Sequence, residues 1–121
     1  MAIYFDPSEV EFATEPLAEV CRAVAEGKAV LVDVRNDEEW AEGHVAGAIF
    51  LPVMTLVEGC DPAALANVLP ADKVLYTHCR VGMRAKAAAI VLRRLGYNVR
   101  PLEPGFEELV EAGLAPEMLE S

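Results

Sequence analysis

Two uninterrupted apolar runs constrain this chain most: Ala29–Val34, which carries Asp33 near its end, and Val74-Leu75-Tyr76-Thr77. A strand with one face in water alternates apolar and polar residues, because successive side chains point to opposite faces. Neither run alternates. Each predicts a strand covered on both faces, the mark of a mostly parallel sheet sandwiched between helices. The rest of the chain supplies those helices. Leu17, Val20, Cys21 and Val24 fall at helical spacing, with Thr14 as N-cap, Pro16 in the first turn, Glu15 and Glu19 near the positive end, and Gly27 as the stop. Asn36 or Asp37 can cap a short helix carrying Glu38, Glu39 and Trp40 and ended by Gly43. Asp61-Pro62 opens another helix. Ala85, Ala88, Ala89, Val91, Leu92 and Leu95 form one stripe closed by Gly96. Phe106, Leu109 and Val110 mark a last helix, ended by Gly113. Further short strands are expected at Ile49-Phe50-Leu51 and Tyr97–Leu102, with a helical turn and loop over Met54–Cys60. Val10 and Phe12 alternate with Glu9 and Glu11, as an edge strand would. Leu114–Ser121 reads as a tail. The alternation of strand and helix predicts an α/β sandwich.

In such folds sites lie beyond the carboxyl ends of the strands. Cys79-Arg80-Val81-Gly82-Met83-Arg84 occupies that position after the second apolar run, as a glycine-containing loop leading into a helix. Loop N–H groups and a helix N-terminus favour negative charge, so a thiol there should ionise more readily, and the thiolate is the nucleophile. Arg80 and Arg84 add positive charge. A cation in the first turn of a helix opposes the dipole, which implies a compensating anion near Arg84. Asp33 and Arg35 stand at the end of the first run and are placed either to shape the mouth of the site or to brace the fold. His44, after a helix end and before a turn, reads as a backbone-bonding brace. Trp40 reads as an anchor of its helix on the core. His78 turns away from the sulfur if the strand alternates, and no role is assigned to it.

The chain has 121 residues and a formal net charge of −10. That charge argues against general nucleic-acid binding and against docking on anionic membranes. It also makes the two loop arginines a local exception that an anionic substrate would feel. The cysteines, Cys21, Cys60 and Cys79, form no CxxC pair, and with His44 and His78 they show no zinc spacing. No metal is expected. The simplest reading is a reduced cytoplasmic protein with free thiols. Cys21 reads as a core residue; only its presence argues for Cys60 as a second redox thiol. The N-terminus has no signal-peptide pattern, and no apolar run approaches the ~20 residues that span a bilayer.

Four stretches together resemble a single-domain rhodanese: Leu31–Arg35, Glu39–Ala48 around Gly43-His44, the loop from Cys79 to Arg84, and Gly105-Phe106 through Leu114. The likeness implies one rhodanese domain over 1–121, its core at about 9–116, with the three-layer rhodanese-like sandwich. It departs from the family pattern at Ala46, Pro104 and Leu109. The resemblance implies a sulfurtransferase in which Cys79 takes sulfur from thiosulfate or a related small anionic donor as a persulfide. Cyanide or a thiol, a protein thiol included, would then accept it. Arg80, Val81, Gly82, Met83 and Arg84 would bind the substrate, with no cofactor. Two other readings stand beside it: a rhodanese-like module that binds or regulates a partner, and a cysteine-dependent phosphatase or arsenate reductase. His78-Cys79 followed by Arg84 is like the phosphatase signature, but four residues separate Cys79 from Arg84 where that signature has five.

Overall fold

The computed structural model describes residues 6–118. A 3-10 turn, Pro7–Glu9, precedes helix α1 (Leu17–Ala25), and strand β1 (Ala29–Asp33) leads to α2 (Asp37–Glu42). Strands β2 (His44–Val45) and β3 (Ile49–Phe50) follow, then helices α3 (Val53–Val57) and α4 (Pro62–Ala66). Strand β4 (Val74–His78) feeds α5 (Met83–Arg94), and β5 (Val99–Pro101), α6 (Phe106–Glu111) and β6 (Pro116–Glu117) complete the chain.

The main sheet has the order β3-β1-β4-β5, and every pairing in it is parallel. The two apolar runs are its inner strands, β1 and β4, in register from Ala29 opposite Val74 to Asp33 opposite His78. Burial on both faces follows the pleat. Val32 and Leu75 join a core with Ala85, Ala88 and Ala89 of α5, Leu56 of α3 and Leu65 of α4. Leu31 and Tyr76 face the opposite way, into a second core with Val20 of α1 and Leu109 of α6. The product is a three-layer α/β sandwich. Alanines on the buried stripe of α5 let its backbone lie close to the sheet.

Three local expectations are corrected. Val10 and Phe12 do not form an edge strand. Val10 enters the first core, Phe12 packs on Gly82, and Ala13 makes one main-chain bond, to the Pro101 carbonyl at 2.8 Å. Alternation there records which side chains are covered, not a ladder. Thr14 is not an N-cap: α1 begins at Leu17, after an extended Pro16 with no side-chain cap. Glu15, in a bend just before it, is held by the sheet. It accepts the Tyr76 hydroxyl at 2.7 Å and a two-pronged contact from Arg100, both prongs at 2.7 Å. These bonds, those of Arg100 above all, hold the Glu15 carboxyl down to about 2. Finally, the supposed tail contains β6, which pairs antiparallel with β2 through His44–Glu117 and Val45–Pro116. Residues 1–5 and 119–121, at the two ends of the chain, lie outside the described residues.

Candidate active site

The carboxyl ends of β1 and β4 lie side by side, and the candidate residues divide between them. At the end of β4 the chain passes through Cys79 to Gly82 and enters α5 at Met83. Gly82 has φ +96°, a left-handed conformation that glycine adopts without a Cβ penalty. That conformation aims its N–H back at the cysteine, donating to Cys79 Sγ at 3.1 Å. A side chain at Gly82 would also strike the Phe12 ring, its Cβ 2.6 Å from two ring carbons. The N-terminal segment thus lies against the loop, with Lys86 of α5 over the same ring at 4.3 Å from its centre.

Cys79 is only 1% exposed, whereas its loop neighbours Arg80 and Val81 stand in solvent. Pro104-Gly105 closes on the loop from the other side. A Cβ on Gly105 would come within 2.5 Å of the carbonyl oxygens of both Cys79 and Arg80, so only glycine fits there. The Phe106 N–H donates to the Cys79 carbonyl at 3.2 Å, tying the start of α6 to the cysteine.

The anion expected beside Arg84 is Glu39 of α2. The guanidinium and carboxylate meet side by side at 2.6 and 3.1 Å. Their hydrogen bonds lower the Glu39 pKa to about 2 and raise that of Arg84, to which the Cys79 sulfur adds a smaller attraction of its own. Sequence reading passed over Glu39 as a site residue. The available signal was its place three residues after Asn36, because the capping box Asn36–Glu39 fixes the helix turn that presents it.

Arg35 is buried and fully engaged. It contacts both Asp33 oxygens, at 2.8 to 3.1 Å, donates to the Gly43 carbonyl at 2.6 Å, and lies over the Phe106 ring at 4.7 Å. His44 is buried away from the loop. Its Nδ1–H donates to the Trp40 carbonyl at 2.8 Å, and its ring stacks on Trp40, which in turn stacks on Phe50. His78 points to the Asp33 side, and neither ring nitrogen has a partner among the described residues. Burial pushes its pKa down to about 4; Asp33 opposes that shift and Arg35 adds to it. Cys60 is half-buried, and burial raises its thiol pKa, the direction opposite to that of a reactive thiol.

A cavity of about 220 Å³ opens beside the loop, lined by Arg35, Arg80, Val81, Phe106, Glu107 and Glu108. A second hollow adjoins it, sharing Arg35, Arg80, Phe106 and Glu107 and reaching Glu39. Among the described residues no three His, Cys, Asp or Glu side chains gather as metal ligands, and no helix is long and apolar enough to cross a membrane.

Comparison with known proteins gives the family and the fold. Residues 17–112 match the model of the rhodanese-like domain family. The chain is 36% identical over 93 residues to the thiosulfate:glutathione sulfurtransferase of Homo sapiens, covering 70% of this chain and 81% of that one. It is 35% identical over 99 residues to the HTH-type transcriptional regulator Rv0324 of Mycobacterium tuberculosis, covering 80% of this chain but only 41% of the regulator. Among solved structures, the human single-domain sulfurtransferase TSTD1 superposes with a TM-score of 0.66 at 32% identity, over 77% of this chain and 90% of that one.

Proposed function

The chain belongs to the rhodanese-like domain family, and from that premise we propose that it is a sulfurtransferase with Cys79 as its nucleophile. The observation that carries the reading is the Gly82 N–H directed at Cys79 Sγ inside a loop that Gly105 closes from behind. Such a donor is in place before reaction and costs no reorganisation when charge collects on sulfur.

The Cys79 thiolate attacks the outer sulfur of thiosulfate. The sulfur–sulfur bond of the donor breaks, sulfite departs with the electron pair, and Cys79 carries the outer sulfur as an anionic persulfide. An acceptor nucleophile, cyanide or a thiolate, then attacks that outer sulfur. The Cys79 thiolate leaves, so the cycle closes without net oxidation or reduction. Arg80, exposed at the mouth, attracts the anionic donor. Arg84 lies between Glu39 and the sulfur and serves as a fixed positive neighbour more than as an anchor for the donor. Val81 and Met83, both more than half exposed, form the apolar rim. Asp33 and Arg35 hold the wall of the cavity, and His44 holds the β2 turn.

A second reading, a binding module, has one observation in its favour: the match to a transcriptional regulator of which this chain spans less than half. One experiment separates the two. The protein is incubated with thiosulfate, intact mass is recorded, and thiocyanate production is followed after cyanide is added. Sulfur transfer requires a gain of one sulfur atom and thiocyanate turnover, both abolished in Cys79→Ser. Equal inactivity of wild type and variant would establish the module.

A further inference from the structure

The family model matches residues 17–112, yet a side chain ahead of that segment reaches the active loop. It is Phe12, half-buried, whose ring lies against the side of Gly82 where a Cβ would stand. That Cβ would fall 2.6 Å from two ring carbons and 3.4 Å from the Glu103 α-carbon. Glycine populates positive and negative φ about equally, so the freedom that lets Gly82 adopt φ +96° also lets it leave. The N–H that points at Cys79 Sγ belongs to the peptide joining Val81 to Gly82. Neither residue anchors that peptide through a side chain: Val81 is 76% exposed, and Gly82 has none. The Gly82 carbonyl is fixed on the other side, where it accepts the Lys86 N–H at 3.0 Å as α5 begins.

The ring is itself held in place. Before it, Val10 is buried in the first core; after it, the Ala13 N–H donates to the Pro101 carbonyl of β5 at 2.8 Å. Lys86 Nζ stands over the ring, 4.3 Å from its centre. Glu9 pairs with Arg94 at 2.9 Å, so the segment is tied to both ends of α5, the helix whose first turn carries the loop. We propose that Phe12 is a positioning residue for sulfur transfer: its ring wedges Gly82 in the left-handed conformation and so keeps the Gly82 N–H on Cys79 Sγ. It acts through Gly82 and not on the donor. Without the ring the peptide ahead of Gly82 is free to rotate, and its carbonyl oxygen would then face the sulfur and repel negative charge there. This assignment rests on the sulfurtransferase reading above and deepens it, because a donor already in place costs no reorganisation as charge collects on sulfur.

Two variants and two readouts test it. Phe12→Leu keeps an apolar side chain but stops short of Gly82, whereas Phe12→Met keeps the reach. Persulfide formation on Cys79 is timed by mass over a range of thiosulfate concentrations, each rate referred to the folded fraction from urea unfolding. In Phe12→Leu the limiting rate should fall about tenfold, short of the ~100-fold that follows loss of a whole preorganised donor. The thiosulfate concentration giving half that rate should stay within about twofold, because the charge that attracts the donor is untouched. Phe12→Met should recover most of the loss. The second readout, amide hydrogen exchange in the unreacted protein, needs no sulfur transfer. In Phe12→Leu exchange at Gly82 should quicken about tenfold, while Leu75 in the interior of β4 keeps its protection. Loading of Phe12→Leu at the wild-type limiting rate would overturn the proposal. So would Phe12→Met as slow as Phe12→Leu, or equal loss of protection at Gly82 and Leu75. Failure of the wild type to load would overturn the sulfurtransferase reading and leave Gly82 exchange to decide whether Phe12 holds the loop.

Discussion

The two central strands end a few ångströms apart in register, and their ends are built on opposite terms. Beyond β1, charge is buried and spent: Asp33 is 0% and Arg35 5% exposed, each engaged by the other, with Gly43 and Phe106 completing the arginine's surroundings. Beyond β4, the sulfur is buried but the charge next to it, Arg80, is exposed and unpaired among the described residues. Paired, buried charge gives a fixed wall. Unpaired charge at a cavity mouth leaves interaction energy for a ligand. The comparison teaches that residue type alone does not announce a site; two arginines on one rim, forty-five positions apart in the chain, belong to architecture and to recognition respectively.

This contrast can be broken most forcefully at Arg35. Arg35→Ala strands the Asp33 carboxylate without its cation in the interior and should cost about 3–5 kcal/mol, read as a fall in the urea midpoint. A variant as stable as wild type would mean that the β1 end is not a rigid wall.

The next effect concerns acid. The folded-state pKa of His78, about 4, lies below its ordinary 6.5, so the unfolded chain binds the proton more readily. The stability this represents is present above pH 6.5 and is lost as pH falls toward 4, by about 3 kcal/mol at most. Glu15 and Glu39, both held down to about 2, contribute stability present above their ordinary value of 4.5 and lost as pH falls toward 2. Denaturant midpoints taken between pH 7 and pH 4 should therefore already decline before the carboxylates begin to protonate. In His78→Leu, which has no titrating ring, that first decline should be absent. Persistence of the same slope in the variant would assign it to other groups.

The smallest change in stability, with the more visible change in activity, belongs to Arg80. Arg80→Ala should leave the urea midpoint within about 0.5 kcal/mol of wild type, since the side chain holds nothing in place. Persulfide formation from thiosulfate should slow severalfold, and the wild-type rate should lose its lead as salt is raised and the attraction is screened. A large loss of stability in this variant would erase the distinction between the two strand ends.

Much of this organisation is legible in the sequence. The strands β1 and β4 are apolar on both faces, and that composition alone demands helices on either side. Asp61-Pro62, Asn36 and Gly43 mark helix ends through local chemistry, and each sits where that chemistry places it. The loop from Cys79 to Gly82 was visible because a strand end, a glycine and a helix start are contiguous. What escaped was non-local. Thr14 has the chemistry of a cap, but Glu15 is claimed by Tyr76 and Arg100, 61 and 85 positions away, and the helix waits until Leu17. The residues after Leu114 have no strand pattern, yet two of them pair with β2 because the backbone groups there need partners.

The sequence by itself determined the α/β layering, the carboxyl-end position of Cys79 and the glycine-containing loop that follows it. These depend on periodicity and on backbone sterics within a few residues. Only the tertiary structure decided which charges are spent. Glu39 answers Arg84, Asp33 answers Arg35, and Arg80 and Glu107 are brought to one cavity with neither answered among the described residues. Coulombic pairing is a matter of distance in space, and proximity in space is set by the packing of whole elements, which no local pattern of residues encodes.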